Sequence, residues 1–284
     1  MSAVFVTGAT GIVGSAVVEH LLARGEQVIA ATRRDTDATQ VPAGAATRDF
    51  EFGASPAELD AALEGVDRLF LMRPPQIEDV QTYLFPVIDA ALRRGIRQIV
   101  FLSLQGVQAN RKTPHHAVEQ YLKQTRAPYT FLRPNFFMQN LSSTYRDDIR
   151  DRSSIFVPAG RARTAFIDAR DIGRVAATVF GEPGHLRKAY TLSGEQTLGY
   201  TQVARIMSDV LGREIRYERP SEADYLARLA QQGAPADYIA VQKMIYRVVR
   251  LNVSALPNRK VRKITGEPPT TFRQFVEDYR HVWE

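Results

Sequence analysis

The chain has 284 residues, no cysteine, 44% hydrophobic and 24% charged residues, and a formal net charge of +6. That length holds one large domain or two modest ones with ample core. The absent thiols exclude disulfides, thiolate metal sites, iron–sulfur clusters and a cysteine nucleophile.

From the amino end, Ala3–Thr7 reads as a buried strand. Ile12–Arg24 reads as a helix, with Val13, Ala16, Val17, Leu21 and Leu22 at helical spacing and Gly25 as its stop. Gln27–Thr32 and the shorter Ala45–Phe50 follow as strands. Ser55, Pro56 and Glu58 spell a capping box for a helix running to Leu63. Arg68–Met72 and Gln98–Leu104 are strands four and five, separated by a helix over Val80–Arg94 that ends at Gly95. Pro114–Gln124 is helical by period, and Tyr129–Leu132 is a sixth strand ended by Pro134.

The rhythm then changes. Gln139–Arg163 is polar and irregular, which suggests loops over a site. Asp171–Phe180 is a helix and Ala189–Leu192 a late strand; Thr201–Leu211, Ser221–Gln232, Ala236–Leu251 and Thr271–Trp283 are helices. The layout predicts an α/β protein: a Rossmann-type doubly wound parallel sheet over 1–195, with an irregular insert at about 139–163, and a smaller, mostly helical substrate or cap region over 196–284.

The opening MSAVFVTGATG lacks a basic n-region and cleavage pattern, and no apolar stretch approaches the roughly 18 residues of a membrane helix. The expected location is therefore the cytoplasm, away from membranes. The positive excess divides evenly about Tyr190, so no half of the chain is a basic tail. A local exception holds Lys243, Arg247, Arg250, Arg259, Lys260, Arg262 and Lys263 with no acid among them. It reads as a solvated helix face and loop or as a partner surface; no nucleic-acid motif accompanies it, so nucleic acid is not an expected partner.

The strongest chemistry is Thr7-Gly8-Ala9-Thr10-Gly11-Ile12-Val13-Gly14, placed between the first strand and the first helix. Gly8 permits the tight turn, Gly11 lets backbone approach a pyrophosphate, and Gly14 allows close packing of helix on strand. Thr10 and Ile12 share that loop, and the phosphates would rest on N–H groups at the helix start. No G-K-[ST] follows, so this is not a nucleoside-triphosphate loop. The second strand ends Ala31-Thr32-Arg33-Arg34, without the acid that would accept a ribose 2′-hydroxyl. Guanidinium pairs with a 2′-phosphate, so Arg33, assisted by Arg34, points to NADP(H) rather than NAD(H). Two exposed arginines at a strand end are the alternative.

With TGATGIVG at the start, the chain also carries Asp49-Phe50, Phe101-Leu102-Ser103, His115-x-x-x-Glu119-x-x-Leu122 and YTFLRPNFFMQN over Tyr129–Asn140. FIDARDIG over Phe166–Gly173, Tyr190–Gly194, Leu211-Gly212-Arg213 and Gly266-Glu267-Pro268-Pro269 follow in order. Together these resemble the NmrA-like group of atypical short-chain dehydrogenase/reductases across nearly the whole chain. The subgroup holding triphenylmethane reductase and NADPH:quinone reductases, and the fungal ergot-pathway reductases, look similar. The resemblance implies that Asp49 and Phe50 border the adenine, and that Met72, Arg73 and Pro74 run beside the cofactor ribose. It implies that Ser103 lies near the nicotinamide ribose and that Pro134, Asn135 and Phe136 wall the nicotinamide.

Common short-chain enzymes pair serine with Tyr-x-x-x-Lys, but none of the eleven tyrosines here has lysine four residues on. In the matching helix His115 stands where lysine would be and Arg111 where tyrosine would be. Ser103 and His115 are thus the catalytic candidates, His115 hydrogen-bonding the ribose or donating a proton, or else serving structure alone. Phe136, Phe137, Met138 and Tyr145 are candidates to line a flat apolar substrate pocket, or are plain core. Two functions remain open. One is an NADP(H)-dependent reductase, monomer or homodimer, that delivers hydride to a conjugated small molecule such as a quinone, enone, imine or cationic dye. The other is a non-catalytic NAD(P)-sensing regulator that binds a protein partner.

Overall fold

The computed structural model describes residues 3–33 and 40–284. In chain order it begins with β1 (Ala3–Val6), α1 (Ile12–Ala23), β2 (Gln27–Thr32), β3 (Ala46–Asp49), α2 (Pro56–Ala62), β4 (Arg68–Met72), α3 (Val80–Tyr83) and α4 (Phe85–Arg93). Next come β5 (Gln98–Leu102), α5 (Pro114–Gln124), β6 (Tyr129–Pro134), α6 (Arg146–Arg152), β7 (Ser154–Ile155), β8 (Arg163–Thr164), α7 (Ala169–Gly181) and β9 (Lys188–Leu192). The remainder is β10 (Leu198–Gly199), α8 (Tyr200–Leu211), β11 (Arg216–Tyr217), α9 (Glu222–Gln231), α10 (Ala236–Arg250), α11 (Lys260–Thr265) and α12 (Phe272–Asp278).

These elements form two units interleaved in sequence. The first holds Met1–Pro134, Ala169–Leu192 and Lys260–Glu267; the second holds Asn135–Asp168, Ser193–Arg259 and Pro268–Glu284. A single boundary near residue 195 misses this interleaving. The apolar positions of residues 139–163 explain part of the difference: Leu141, Ile149, Ile155, Val157, Ala159 and Ala162 are buried in the core of the second unit. What reads as an irregular insert is therefore a core-forming segment, with α6 and β7 inside it.

The first unit is a seven-stranded sheet in the order β3-β2-β1-β4-β5-β6-β9, with every neighbouring pair parallel. Parallel neighbours require crossovers, and the helices supply them on both faces. Phe5, Leu69, Leu71, Ile99, Phe101 and Phe131 form one buried face with residues of α2, α4 and α5, including Leu59, Val87 and Val118. Elsewhere α1 packs on α7, which also meets α11. The capping box of α2 is present: Ser55 Oγ accepts from the Glu58 N–H, and Glu58 Oε2 accepts from the Ser55 N–H at 2.9 Å. The helix expected over Val80–Arg94 is instead two, α3 and α4, meeting at Leu84. Pro86, in the first turn of α4, has no N–H to continue the earlier helix and tolerates only a helix start.

The second unit surrounds its own core, in which Trp283, Tyr246, Phe272 and Phe275 are each at most 1% exposed. Trp283 Nε1 donates to the Leu141 carbonyl at 3.0 Å, so the last turn of the chain is fastened to the residues after β6. Small pairs β7–β11 and β8–β10 complete it. The basic run is divided between the units: Lys243, Arg247 and Arg250 lie exposed in α10 of the second, and Lys260, Arg262 and Lys263 in α11 of the first. Among the described residues no helix is long and apolar enough to cross a membrane.

One ion pair anchors the edge of the sheet opposite the strands' carboxyl ends. The Arg68 side chain, 4% exposed, donates to both Glu26 oxygens at 2.8 and 2.6 Å and to the Phe180 carbonyl at 3.2 Å. These bonds from Arg68 hold the Glu26 carboxyl below its ordinary value. Stability from this site is thus full above the unfolded carboxyl pKa and lost as pH falls through the folded one. Glu26→Ala removes two charge-assisted bonds but leaves Arg68 paired with Asp67 Oδ1 at 3.3 Å, and is expected to cost about 2 kcal/mol. Urea denaturation at pH 7 and pH 3.5 checks this: the gap between variant and wild type narrows at the lower pH.

Candidate active site

Strand order reverses direction between β1 and β4, so the crevice of the sheet opens at the carboxyl ends of these two neighbours. Thr7 ties them together. Fully buried, it donates its N–H and its hydroxyl to the Phe70 carbonyl, both at 3.0 Å, and its Oγ1 accepts from the Met72 N–H at 2.9 Å.

The glycine turn follows at once. Gly8 has φ +65°, and a Cβ there would stand 2.7 Å from Met72 Sδ; a Cβ on Gly14 would stand 2.0 Å from the Gly8 carbonyl oxygen. Both glycines are therefore required by the turn and by the seating of α1 on it. Gly11 differs. Its N–H donates to the Gly8 carbonyl at 2.9 Å, but a Cβ would meet that oxygen at a merely tight 3.3 Å. The protein's own packing therefore barely needs glycine there. Gly11 is also the N-cap of α1 and supplies no side-chain cap, so the first-turn N–H groups stay available to an anion. Thr10 is exposed and Ile12 is 45% exposed beside this cradle.

Around the crevice the expected residues take these places. Arg33 is exposed just past β2; Arg34 lies outside the described residues. Thr32 is in register with Asp49, and the Phe50 N–H donates to the Thr32 carbonyl at 2.9 Å, so Arg33, Asp49 and Phe50 share the ends of β2 and β3. Asp49 is exposed, whereas Phe50 is mostly a core ring, edge-on to Phe5 and Phe52. Past β4, Arg73 Nη1 donates to the carbonyls of Pro74, Pro75 and Ile77 at 3.0, 3.0 and 2.6 Å, fixing the loop. Its buried Nε has no hydrogen-bond partner among the described residues.

At the ends of β5 and β6 the structure brings Ser103 into a buried group that includes Glu119 and Arg133. Ser103 Oγ donates to Glu119 Oε1 at 2.7 Å, and Arg133 grips the same carboxylate through Nε at 2.8 Å and Nη2 at 2.5 Å. Both residues stood in the sequence blocks His115-x-x-x-Glu119 and Tyr129–Asn140 with no role attached; an apolar strand and a helix face each interrupted by a charge were the available signal. His115 packs near the Phe101 ring, centroids 6.1 Å apart. Burial, reinforced by the Arg73 charge, pushes its pKa down to about 3. Both effects disfavour the imidazolium form, and with it the role of His115 as a proton donor.

Pro134 ends β6 in the first unit; Asn135 and Phe136 open the second. Asn135, 5% exposed, donates to the Ser254 carbonyl at 2.8 Å, while its Oδ1 accepts from the Phe136 N–H at 2.8 Å. Phe136 and Phe137 are partly exposed. Met138 is buried in the second unit's core, and the Tyr145 hydroxyl is bonded to that of Tyr246 at 2.5 Å, with burial raising its pKa.

The model of the NmrA-like family matches residues 1–262. The chain belongs to the NmrA-like family. Among its relatives, agroclavine dehydrogenase of Claviceps fusiformis is 33% identical over 230 residues, 79% of this chain and 78% of that one. An NAD(P)H azoreductase of Xenophilus azovorans is 30% identical over 280 residues, 96% of each chain. The crystal structure of the NADPH-dependent quinone oxidoreductase QOR2 from Escherichia coli, complexed with NADPH, matches with TM-score 0.86 and 27% identity over all of both chains. The NmrA-like resemblance read from the motifs is thus the family the whole chain belongs to, and the doubly wound parallel sheet is its fold.

The glycine geometry separates two roles by measurement. Gly14→Ala is expected to destabilise by more than about 2 kcal/mol, because its Cβ meets backbone that cannot yield. Gly11→Ala should lose under about 1 kcal/mol, since its neighbour need give only a few tenths of an ångström, yet weaken dinucleotide binding at least tenfold. Thermal melting and fluorescence titration with NADPH read the two effects.

Proposed function

We propose that this NmrA-like protein is an NADP(H)-dependent reductase that delivers hydride to a conjugated small-molecule acceptor of the quinone, enone, imine or cationic-dye kind. The observation that carries the reading is the turn at the strand-order reversal, where Gly11 is small for a reason the protein alone does not supply. A dinucleotide pyrophosphate laid on the first-turn N–H groups of α1 is that reason. Arg33, exposed at the end of β2 with no acid preceding it, suits a 2′-phosphate. Met72, Arg73 and Pro74 border the ribose side of the same crevice, with Ser103 and Pro134 at the neighbouring strand ends.

NADP(H), when bound, supplies two electrons and a proton as hydride. The chain's residues bind and orient it and its acceptor. The Tyr-x-x-x-Lys relay is absent from the sequence, and burial together with Arg73 lowers the pKa of His115. A simple ketone, whose reduction needs a proton delivered as the alkoxide forms, is poorly served by such a site. A conjugated acceptor spreads the new charge and takes its proton from water afterwards, so positioning can carry much of the rate. The azoreductase and quinone oxidoreductase relatives are named for conjugated acceptors, which supports the same class.

The test is anaerobic NADPH oxidation against a panel of quinones, enones, imines, azo and triarylmethane dyes, and saturated ketones. Conjugated acceptors should turn over and saturated ketones should not. Arg33→Ala should raise the Kd for NADPH about tenfold and leave that for NADH unchanged, as expected for one charge-assisted pair. Tight NADPH binding with no oxidation by any acceptor would favour a cofactor-sensing regulator instead.

A further inference from the structure

A serine hydroxyl can give or accept a hydrogen bond, but the surroundings of Ser103 leave it only one of these toward a ligand. Its hydroxyl carries one hydrogen and two lone pairs. The hydrogen is spent on Glu119 Oε1 at 2.7 Å. Glu119, 1% exposed, receives two N–H bonds from Arg133, and a carboxylate in such a fork only accepts. The direction of the Ser103–Glu119 bond is thereby set.

The three residues come from three elements whose positions are independently fixed. Leu102 and Leu132 are in register across β5 and β6, so Ser103 and Arg133 follow side by side at the carboxyl ends of these strands. The Ser103 N–H donates to the Leu132 carbonyl at 2.8 Å. Glu119 sits in α5 beside Val118, which is buried in the sheet-face core. The Arg133 guanidinium also lies 5.7 Å from the centre of the Phe131 ring, which limits its swing. A buried ion pair is a poor stabiliser compared with apolar side chains of the same volume. Its value here lies in what it does to the serine at the ligand-binding end of the sheet.

We propose that the Glu119–Arg133 pair is a positioning device that holds Ser103 Oγ as an obligate hydrogen-bond acceptor toward the nicotinamide-riboside end of the bound dinucleotide. The donor it takes is an N–H of the carboxamide or a hydroxyl of the adjoining ribose. The proposal rests on the NADP(H) reading above and extends it: Glu119 and Arg133 act through Ser103 and touch no ligand. Ser103 then selects by polarity, favouring a ligand group that donates and rejecting one that only accepts.

A double-mutant cycle tests this, with wild type, Ser103→Ala, Glu119→Gln and the double variant titrated with NADPH and with the reduced 3-acetylpyridine analogue, which lacks the carboxamide N–H. Wild type binding NADPH at all is the check on the underlying reading; the cycle tests only the positioning device. Ser103→Ala should weaken NADPH about tenfold, Glu119→Gln by a similar factor, and the double variant no more than Ser103→Ala alone. If the carboxamide is the donor, the serine effect vanishes with the analogue; if the ribose is, it persists with both cofactors. Should melting show that Glu119→Gln does not fold, Arg133→Lys, which keeps the charge and loses the fork, takes its place in the cycle. Unchanged NADPH affinity in Ser103→Ala, or effects of the two sites that multiply, would overturn the proposal.

Discussion

Where β1 and β4 part, the chain must leave a buried strand and enter a helix between Val6 and Ile12. It does so only because no Cβ stands between the Gly8 carbonyl and Gly14. That close seating sets where α1 begins, and so where its unpaired N–H groups point. Thr7 holds the floor of the same turn by bridging to the last residues of β4, which in turn start the Met72–Pro74 loop. The cradle is thus produced by packing within the first unit and exists before any ligand arrives, which lowers the ordering cost of binding.

Electrostatics around the cradle divide the labour. Arg33, exposed past β2, is the residue proposed for the 2′-phosphate, and a solvent-screened charge there favours discrimination between cofactors over raw affinity. Deeper in, charges are spent on geometry: Arg133 on the Glu119 carboxylate, and Arg73 Nη1 on three loop carbonyls. Arg73 also helps lower the pKa of His115. The result is a site rich in fixed dipoles, which suits the conjugated acceptors proposed above.

Much of this was legible in the residues. The glycine spacing, the Ser55–Glu58 capping box and the alternation of apolar runs through Pro134 follow from short-range rules, and each element stands close to where those rules put it. The break at Leu84 and the start of α7 at Ala169 were missed because both depend on one or two residues within an otherwise continuous helical period. The interleaving of the units was illegible for a different reason. Leu141, Ile149, Ile155 and Val157 are spread among polar residues, and only contact with α8 and α12 residues such as Met207 and Phe275 makes them a core. The Glu119–Arg133 pair was likewise present as letters without a meaning, because residues fourteen apart in sequence become partners only where α5 packs against β6.

The central claim is that the cofactor at this turn is a hydride donor. The most direct measurement is isotope transfer: NADPH deuterated at nicotinamide C4, incubated anaerobically with the protein and a turned-over quinone or enone, followed by mass spectrometry of the oxidised cofactor and the reduced product. An enone product that gains one deuterium, or a quinone reduction in which deuterium leaves the cofactor with a primary isotope effect on single-turnover rates, is the expected result. Saturable NADPH binding with the label retained on unoxidised cofactor, whatever the acceptor, would contradict it.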